Sequence, residues 1–192
     1  MSGLMVDFII SLDGYASADG WPGLWGMGGP EYLAWLDTDD HKRHTSLMGA
    51  TTYRLMSRFA AEMPDDPGFA GLTAMPKVVF SRTLEAPLSW GSTELVREDA
   101  VAAVRDMKQR DAGPLRTLGS LSLSRSLLTA GLVDRFRVVV FPVITGATGK
   151  ERIFDAYPDV ALDLVDSRTF DGRLQLLEYV PTVLDGPPGA GD

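Results

Sequence analysis

Apolar side chains recur along the chain in two rhythms. Dense short runs of β-branched, aliphatic and aromatic residues occupy positions 4–12, 46–48, 77–80, 93–96, 115–118 and 135–143. Runs of that length, closed by glycine, proline or Asp-Gly, read as strands. Between them the spacing turns helical. Tyr32, Leu33, Trp35 and Leu36 form a stripe behind Pro30, and residues 52–59 form a short helix. Val101, Val104 and Met107 share a face of 99–109, and 120–130 is a helix that Gly131 closes as its C′ residue.

Strands alternating with helices predict an α/β fold with a central mixed, mostly parallel sheet. Residues 135–143 are the most apolar run and are expected to be central, covered on both faces. Residues 162–169 and 174–180 flank Phe170-Asp171-Gly172-Arg173, whose Asp-Gly pair signals a two-residue hairpin at the C-terminal end. Two segments carry too many breakers for an element. Residues 14–29 hold six glycines with Trp21 and Trp25, the composition of a long binding loop, and 60–76 reads as loop because of its prolines and glycines. Residues 1–180 are expected to form one domain and 181–192, with Gly186-Pro187-Pro188-Gly189, a disordered tail.

Composition narrows the functions open to this fold. A net charge of −8 and pI near 4.7 argue against broad attraction to nucleic acid or anionic lipid, so any phosphate must meet a local site. The absence of cysteine removes disulfides, thiolate metal ligands and a cysteine nucleophile. No apolar run approaches the ~18 residues that span a bilayer, and a cytoplasmic protein with no membrane partner is expected. Asp37, Asp40, His41 and His44 have helical spacing, but Asp39, Lys42 and Arg43 interleave them as on a solvated face, and no metal is expected. A Gly-x-Ser-x-Gly elbow is absent, which argues against a serine hydrolase.

Three strand ends share one chemistry. Leu47-Met48-Gly49-Ala50-Thr51-Thr52 and Leu115-Arg116-Thr117-Leu118-Gly119-Ser120 each run from a strand through glycine into a helix start, where free amides and the helix dipole favour an anion. Val79-Phe80-Ser81-Arg82-Thr83 ends a strand in two hydroxyls around an arginine. Each alone is how an α/β chain turns a corner; three at the carboxyl edge of one sheet point to a ligand. The Gly-x-Gly-x-x-Gly dinucleotide fingerprint is missing, since Glu31 stands at the last position of the 26–31 segment.

In this order, Ser11-Leu12-Asp13-Gly14-Tyr15, the 47–53 segment, Val78-Val79-Phe80-Ser81-Arg82, Thr117-Leu118-Gly119-Ser120 and Gly131-Leu132-Val133-Asp134 leading to residues 141–146 resemble the dihydrofolate reductase superfamily. The likeness is nearest to its bacterial branch similar to the reductase (RibD C-terminal) domain of riboflavin biosynthesis. The resemblance implies a three-layer fold, NADPH across the carboxyl edge, hydride transfer to a small heterocyclic substrate such as 5-amino-6-(5-phosphoribosylamino)uracil, and a homodimer. By matching motifs, Gly49, Thr51, Thr52, Gly119, Ser120 and Leu121 would hold the pyrophosphate, Ser81 and Arg82 the 2′-phosphate, and Ala16 and Ser17 would flank the nicotinamide. Tyr32 stands where true dihydrofolate reductases carry an acid, with Glu31 beside it. Tyr32 and Asp13 are the expected catalytic residues; Trp21, Trp25 and Glu31 are the expected substrate contacts. Relatives usually carry an arginine where this chain has Ala50, and a true riboflavin-pathway reductase is expected to read a ribose phosphate with basic residues, often a lysine where this chain has Tyr15. The alternatives are a dihydrofolate or pterin reductase and a non-catalytic nucleotide- or ligand-binding protein on the same fold.

Overall fold

Residues 3–20, 24–38 and 43–189, which the computed structural model describes, form ten strands and five α-helices. The strands are β1 (Leu4–Ser11), β2 (Tyr15–Ala18), β3 (Thr45–Gly49), β4 (Lys77–Phe80), β5 (Thr93–Val96), β6 (Leu115–Thr117), β7 (Arg135–Phe141), β8 (Gly149–Arg152), β9 (Val160–Phe170) and β10 (Leu174–Val183). The helices are α1 (Pro30–Leu36), α2 (Ala50–Glu62), α3 (Pro67–Ala74), α4 (Ala100–Gln109) and α5 (Leu121–Thr129). The eight-stranded sheet has the order β5-β4-β3-β6-β1-β7-β10-β9, while β2 and β8 form a separate ribbon. It is the mixed, mostly parallel sheet with a C-terminal hairpin that the alternation of rhythms predicts.

The chain divides into two compact units. Unit 1 comprises residues 1–4 and 39–132, and unit 2 comprises 5–38 and 133–192. In unit 1 the strands run parallel, with Leu47 opposite both Val78 and Thr117. Met48, Tyr53, Val79 and Trp90 form its buried cluster, and the Tyr53 hydroxyl accepts the Ser89 amide at 3.0 Å. In unit 2, β7 lies between a parallel β1 and an antiparallel β10, as expected for the most apolar run. Tyr32, Val139, Phe141, Phe170, Leu174 and Leu176 form the cluster against which α1 packs.

Five elements differ from the sequence expectation, β8 being a strand the apolar pattern does not show. Residues 60–76 contain α3, because Asp66 caps it by accepting the Phe69 amide at 3.0 Å and Pro67 occupies the first turn, where its missing N–H costs nothing. The far end is closed from outside: the buried Lys77 ammonium donates to the carbonyls of Leu72, Thr73 and Met75 at 2.7, 2.9 and 2.7 Å. Residues 14–29 are not all loop, since Tyr15–Ala18 pairs antiparallel with β8. At the hairpin, Asp171 and Gly172 take the expected positive φ values of 52° and 65°, but Phe170 pairs with Leu174, so the loop has three residues. Finally, β10 extends through Val183 into the expected tail. Pro181 is tolerated there because pairing with β7 has ended at Tyr179, leaving its missing N–H without a ladder to break.

Candidate functional site

In unit 1 the two strand-glycine-helix segments are joined by one hydroxyl. Ser120 Oγ accepts the Gly49 amide at 2.8 Å and donates to Thr52 Oγ1 at 2.7 Å. Ser120 sits at φ 63°, ψ 70°, behind Gly119 at φ 54°, so the chain reverses in left-handed backbone before entering α5. A Cβ on Gly119 would stand 3.5 Å from the Thr52 side chain. The starts of α2 and α5, at Gly49 and Ser120, have no side-chain cap, whereas α3 and α4 are capped by Asp66 and Asp99. The first amides of a helix have no intrahelical acceptor. Thus α2 and α5 keep their starts open for an acceptor from outside, with the positive end of each dipole behind them. Gly49, Thr52, Gly119 and Ser120 are brought together; Thr51 is exposed in the first turn of α2, and Leu121 is the first residue of α5.

Ser81 and Arg82 follow β4. Ser81 Oγ accepts the amides of Thr83 and Leu84, both at 3.1 Å, so this hydroxyl shapes its own turn. Arg82 is exposed, and its carbonyl accepts Arg97 Nη1 at 3.3 Å from the end of the neighbouring β5. Two guanidinium groups therefore belong to the carboxyl ends of adjacent parallel strands.

In unit 2, Asp13 is a clamp. Its Oδ1 accepts the Ser11 hydroxyl at 2.6 Å and the Thr145 amide at 3.2 Å, and its Oδ2 accepts the Gly146 amide at 2.9 Å. The Ser11 hydroxyl and the Gly146 amide, working against a smaller burial effect, pull its pKa from 3.8 down to about 2. A carboxylate so satisfied is a holder of loops rather than a proton donor at neutral pH. Ala16 and Ser17 lie on the β2–β8 ribbon, where Ser17 pairs with Lys150.

Tyr32 is 2 % exposed. Its ring stacks on Trp35 with centroids 5.8 Å apart and stands edge-on to Phe141, while Trp25 packs on Phe141 at 5.5 Å. Trp25, expected at a substrate, is thus part of this packing; Trp21 lies outside the described residues. Glu31, also expected at a substrate, accepts the Asp171 amide, and Asp171 returns the contact by accepting the amides of Glu31 at 3.0 Å and Tyr32 at 3.2 Å. Among the described residues no group of three or more His, Asp or Glu could hold a metal, and no helix is long and apolar enough to cross a membrane. Of the acidic and histidine positions at 37–44, Asp39, Asp40 and His41 lie outside the described residues.

Residues 3–176 match the model of the RibD C-terminal domain. The chain belongs to that family. A Bacillus subtilis relative, described as the uncharacterized protein YyaP, is 24% identical over 185 residues, covering 92% of this chain and 93% of the relative. A solved putative riboflavin biosynthesis protein from Shewanella sp. PV-4 superposes with a TM-score of 0.69 at 19% identity, over 94% of this chain and 99% of that one. The diaminohydroxyphosphoribosylaminopyrimidine deaminase/5-amino-6-(5-phosphoribosylamino)uracil reductase of Thermotoga maritima gives 0.65 at 15% identity, over 94% of this chain and 57% of the longer relative. These likenesses show the three-layer fold of the dihydrofolate-reductase-like type.

Sequence reasoning passed over Arg97 and gave no site role to Thr145, Gly146 or Asp171, although it placed Thr145 and Gly146 in the motif at 141–146 and Asp171 in a turn. The signal for Arg97 is an arginine directly after a strand, as Arg82 follows β4. Asp171 carries none, because a hairpin aspartate is already explained by its turn.

Proposed function

We propose that this RibD C-terminal domain is an NADPH-dependent reductase of a small heterocyclic substrate. The carrying observation is the pair of uncapped helix starts, α2 and α5, locked together by Ser120 and Thr52. The residues present fit the cofactor: glycines at 49 and 119 leave the backbone approachable, and the first-turn amides of both helices can donate to an anion without a competing side-chain cap. In this reading NADPH supplies a hydride when bound. Gly49, Thr51, Thr52, Gly119, Ser120 and Leu121 hold the pyrophosphate. Arg82, with Arg97 beside it, meets the 2′-phosphate and takes over from the arginine that relatives carry at the position of Ala50. Ala16 and Ser17 border the nicotinamide.

Asp13 orders the Thr145–Gly146 backbone and stays ionised, so the proton that completes reduction comes from water, with Tyr32 shaping the substrate side from within the apolar cluster. The same reading includes a homodimer, supported by the exposure of Leu162, Leu164 and Val165 on β9, the last strand of the sheet.

Calorimetric titration with NADPH and with NADH is the test, followed by NADPH oxidation with candidate pyrimidines and pterins. Micromolar binding with a preference for NADPH supports the proposal; absence of binding at millimolar NADPH refutes it. Tight binding without turnover on any candidate would favour the non-catalytic reading, to which Ala50 and the tyrosine at position 32 lend weight.

A further inference from the structure

The acidic character of the chain is not spread evenly. Unit 1 has twelve basic and eleven acidic residues, a net of +1; unit 2 has six basic and fifteen acidic residues, a net of −9. Each of the six unit 2 cations already has an oxygen partner. Arg135 and Arg137 face Glu178 at 3.4 and 3.7 Å, and Arg137 also grips Asp7 through two bonds of 3.1 Å. Lys150 meets Asp19 at 2.8 Å, Arg152 meets Asp155 at 4.0 Å and Arg168 meets Asp166 at 2.8 Å. Arg173 donates to the Met27 carbonyl at 3.1 Å.

Around Asp13 and Gly14, where the first strand ends, the surface is apolar instead. Leu12 is 64% exposed and its amide bonds the Val143 carbonyl at 2.8 Å, next to Ile144, which is 75% exposed. The half-exposed Phe154 ring lies over Gly14, so close that a Cβ there would stand 3.1 Å from it. Tyr15 lies against Gly149, where an added Cβ would come within 2.7 Å of its ring. A phosphate arriving here meets aliphatic and aromatic side chains, exposed cations that each already face an aspartate, and a field of excess negative charge that lowers its rate of encounter.

We infer that the substrate bound on the unit 2 side is an unphosphorylated, uncharged heterocycle, recognised by apolar contact around Leu12, Ile144 and Phe154 instead of through a phosphate. This rests on the reading of the chain as a reductase. It separates this chain by substrate class from the phosphoribosyl substrate named for the Thermotoga relative.

Amide chemical shifts of the NADPH-saturated protein test it with two compounds, 5,6-diaminouracil as the uncharged heterocycle and ribose 5-phosphate as the anion. The expected result is that millimolar diaminouracil moves the amides of Leu12, Tyr15, Ile144 and Phe154, while ribose 5-phosphate at the same concentration leaves them in place. Movement of those amides by ribose 5-phosphate, or their failure to respond to diaminouracil, overturns the inference. A failure of the reductase reading shows earlier and elsewhere, as an absence of shifts at Gly49, Thr52, Gly119 and Ser120 when NADPH is added.

Discussion

Asp171 and Glu31 cap one another across 140 positions of sequence: the Asp171 carboxylate accepts the Glu31 amide while the Glu31 carboxylate accepts the Asp171 amide. The exchange ties the β9–β10 turn to the start of α1 and fixes Gly29, where a Cβ would fall 2.1 Å from the Asp171 carboxyl carbon. Loss of a helix cap costs ~0.5–2 kcal/mol. Asp171→Ala is expected to destabilise by about that much, and Gly29→Ala by more, as thermal melts would show. Glu31→Gln keeps an acceptor oxygen and is expected to retain both stability and turnover; abolished turnover would instead make Glu31 the acid.

Ser120 and Thr52 share one hydrogen bond, so substitutions at the two are expected to act on NADPH binding in a coupled way. Ser120→Ala and Thr52→Val are each expected to weaken NADPH several-fold, and the double variant by clearly less than the product of the two. A full double-mutant cycle by calorimetry measures the coupling. Strict additivity would mean that each side chain meets the cofactor independently.

Arg82→Ala is expected to weaken NADPH by ~1.5–3 kcal/mol, the range for hydrogen bonds to charged groups, and to leave NADH unchanged. Arg97→Ala should act in the same direction and by less, because part of its guanidinium is committed to the Arg82 carbonyl. Equal affinities of wild type for the two cofactors would remove the 2′-phosphate role from both.

Asp13 gives the chain an acid-sensitive latch. Its folded pKa of about 2 lies below the ordinary 3.8, so the stability it contributes is fully present above pH 3.8 and is lost as pH falls towards 2. Asp13→Asn should remove that component of the acid transition, while stability at neutral pH also drops because a neutral amide is the weaker acceptor for Ser11, Thr145 and Gly146. Denaturation at a series of pH values from 7 to 2 checks both; parallel curves for wild type and variant would exclude the latch.

Leu164, 56% exposed on β9, marks the face expected to be covered in a homodimer. Wild type should scatter light as a dimer at micromolar concentration, and Leu164→Arg should shift it towards monomer without loss of helical signal. A monomeric wild type would refute the dimer.

The strands of the large sheet, most helices and the two strand-glycine-helix segments were legible in the amino-acid order, whereas the β2–β8 ribbon was not; the former depend on local rules, namely apolar period, glycine at left-handed backbone and a helix start free of a capping side chain. The sequence misread 60–76, where a cap at Asp66 and three carbonyls closed by Lys77 outweigh the glycines, and it ended β10 at 180 because a proline is harmful only where a ladder needs its N–H. What the side chains do depends on contacts between distant segments. Glu31 and Trp25, expected at a substrate, are a turn cap and a packing residue, while Ser81 shapes its own turn. Those roles rest on partners as distant as Asp171 and Phe141, and the free energy of a hydrogen bond or ring contact depends on who is beside it in space, which no local pattern records.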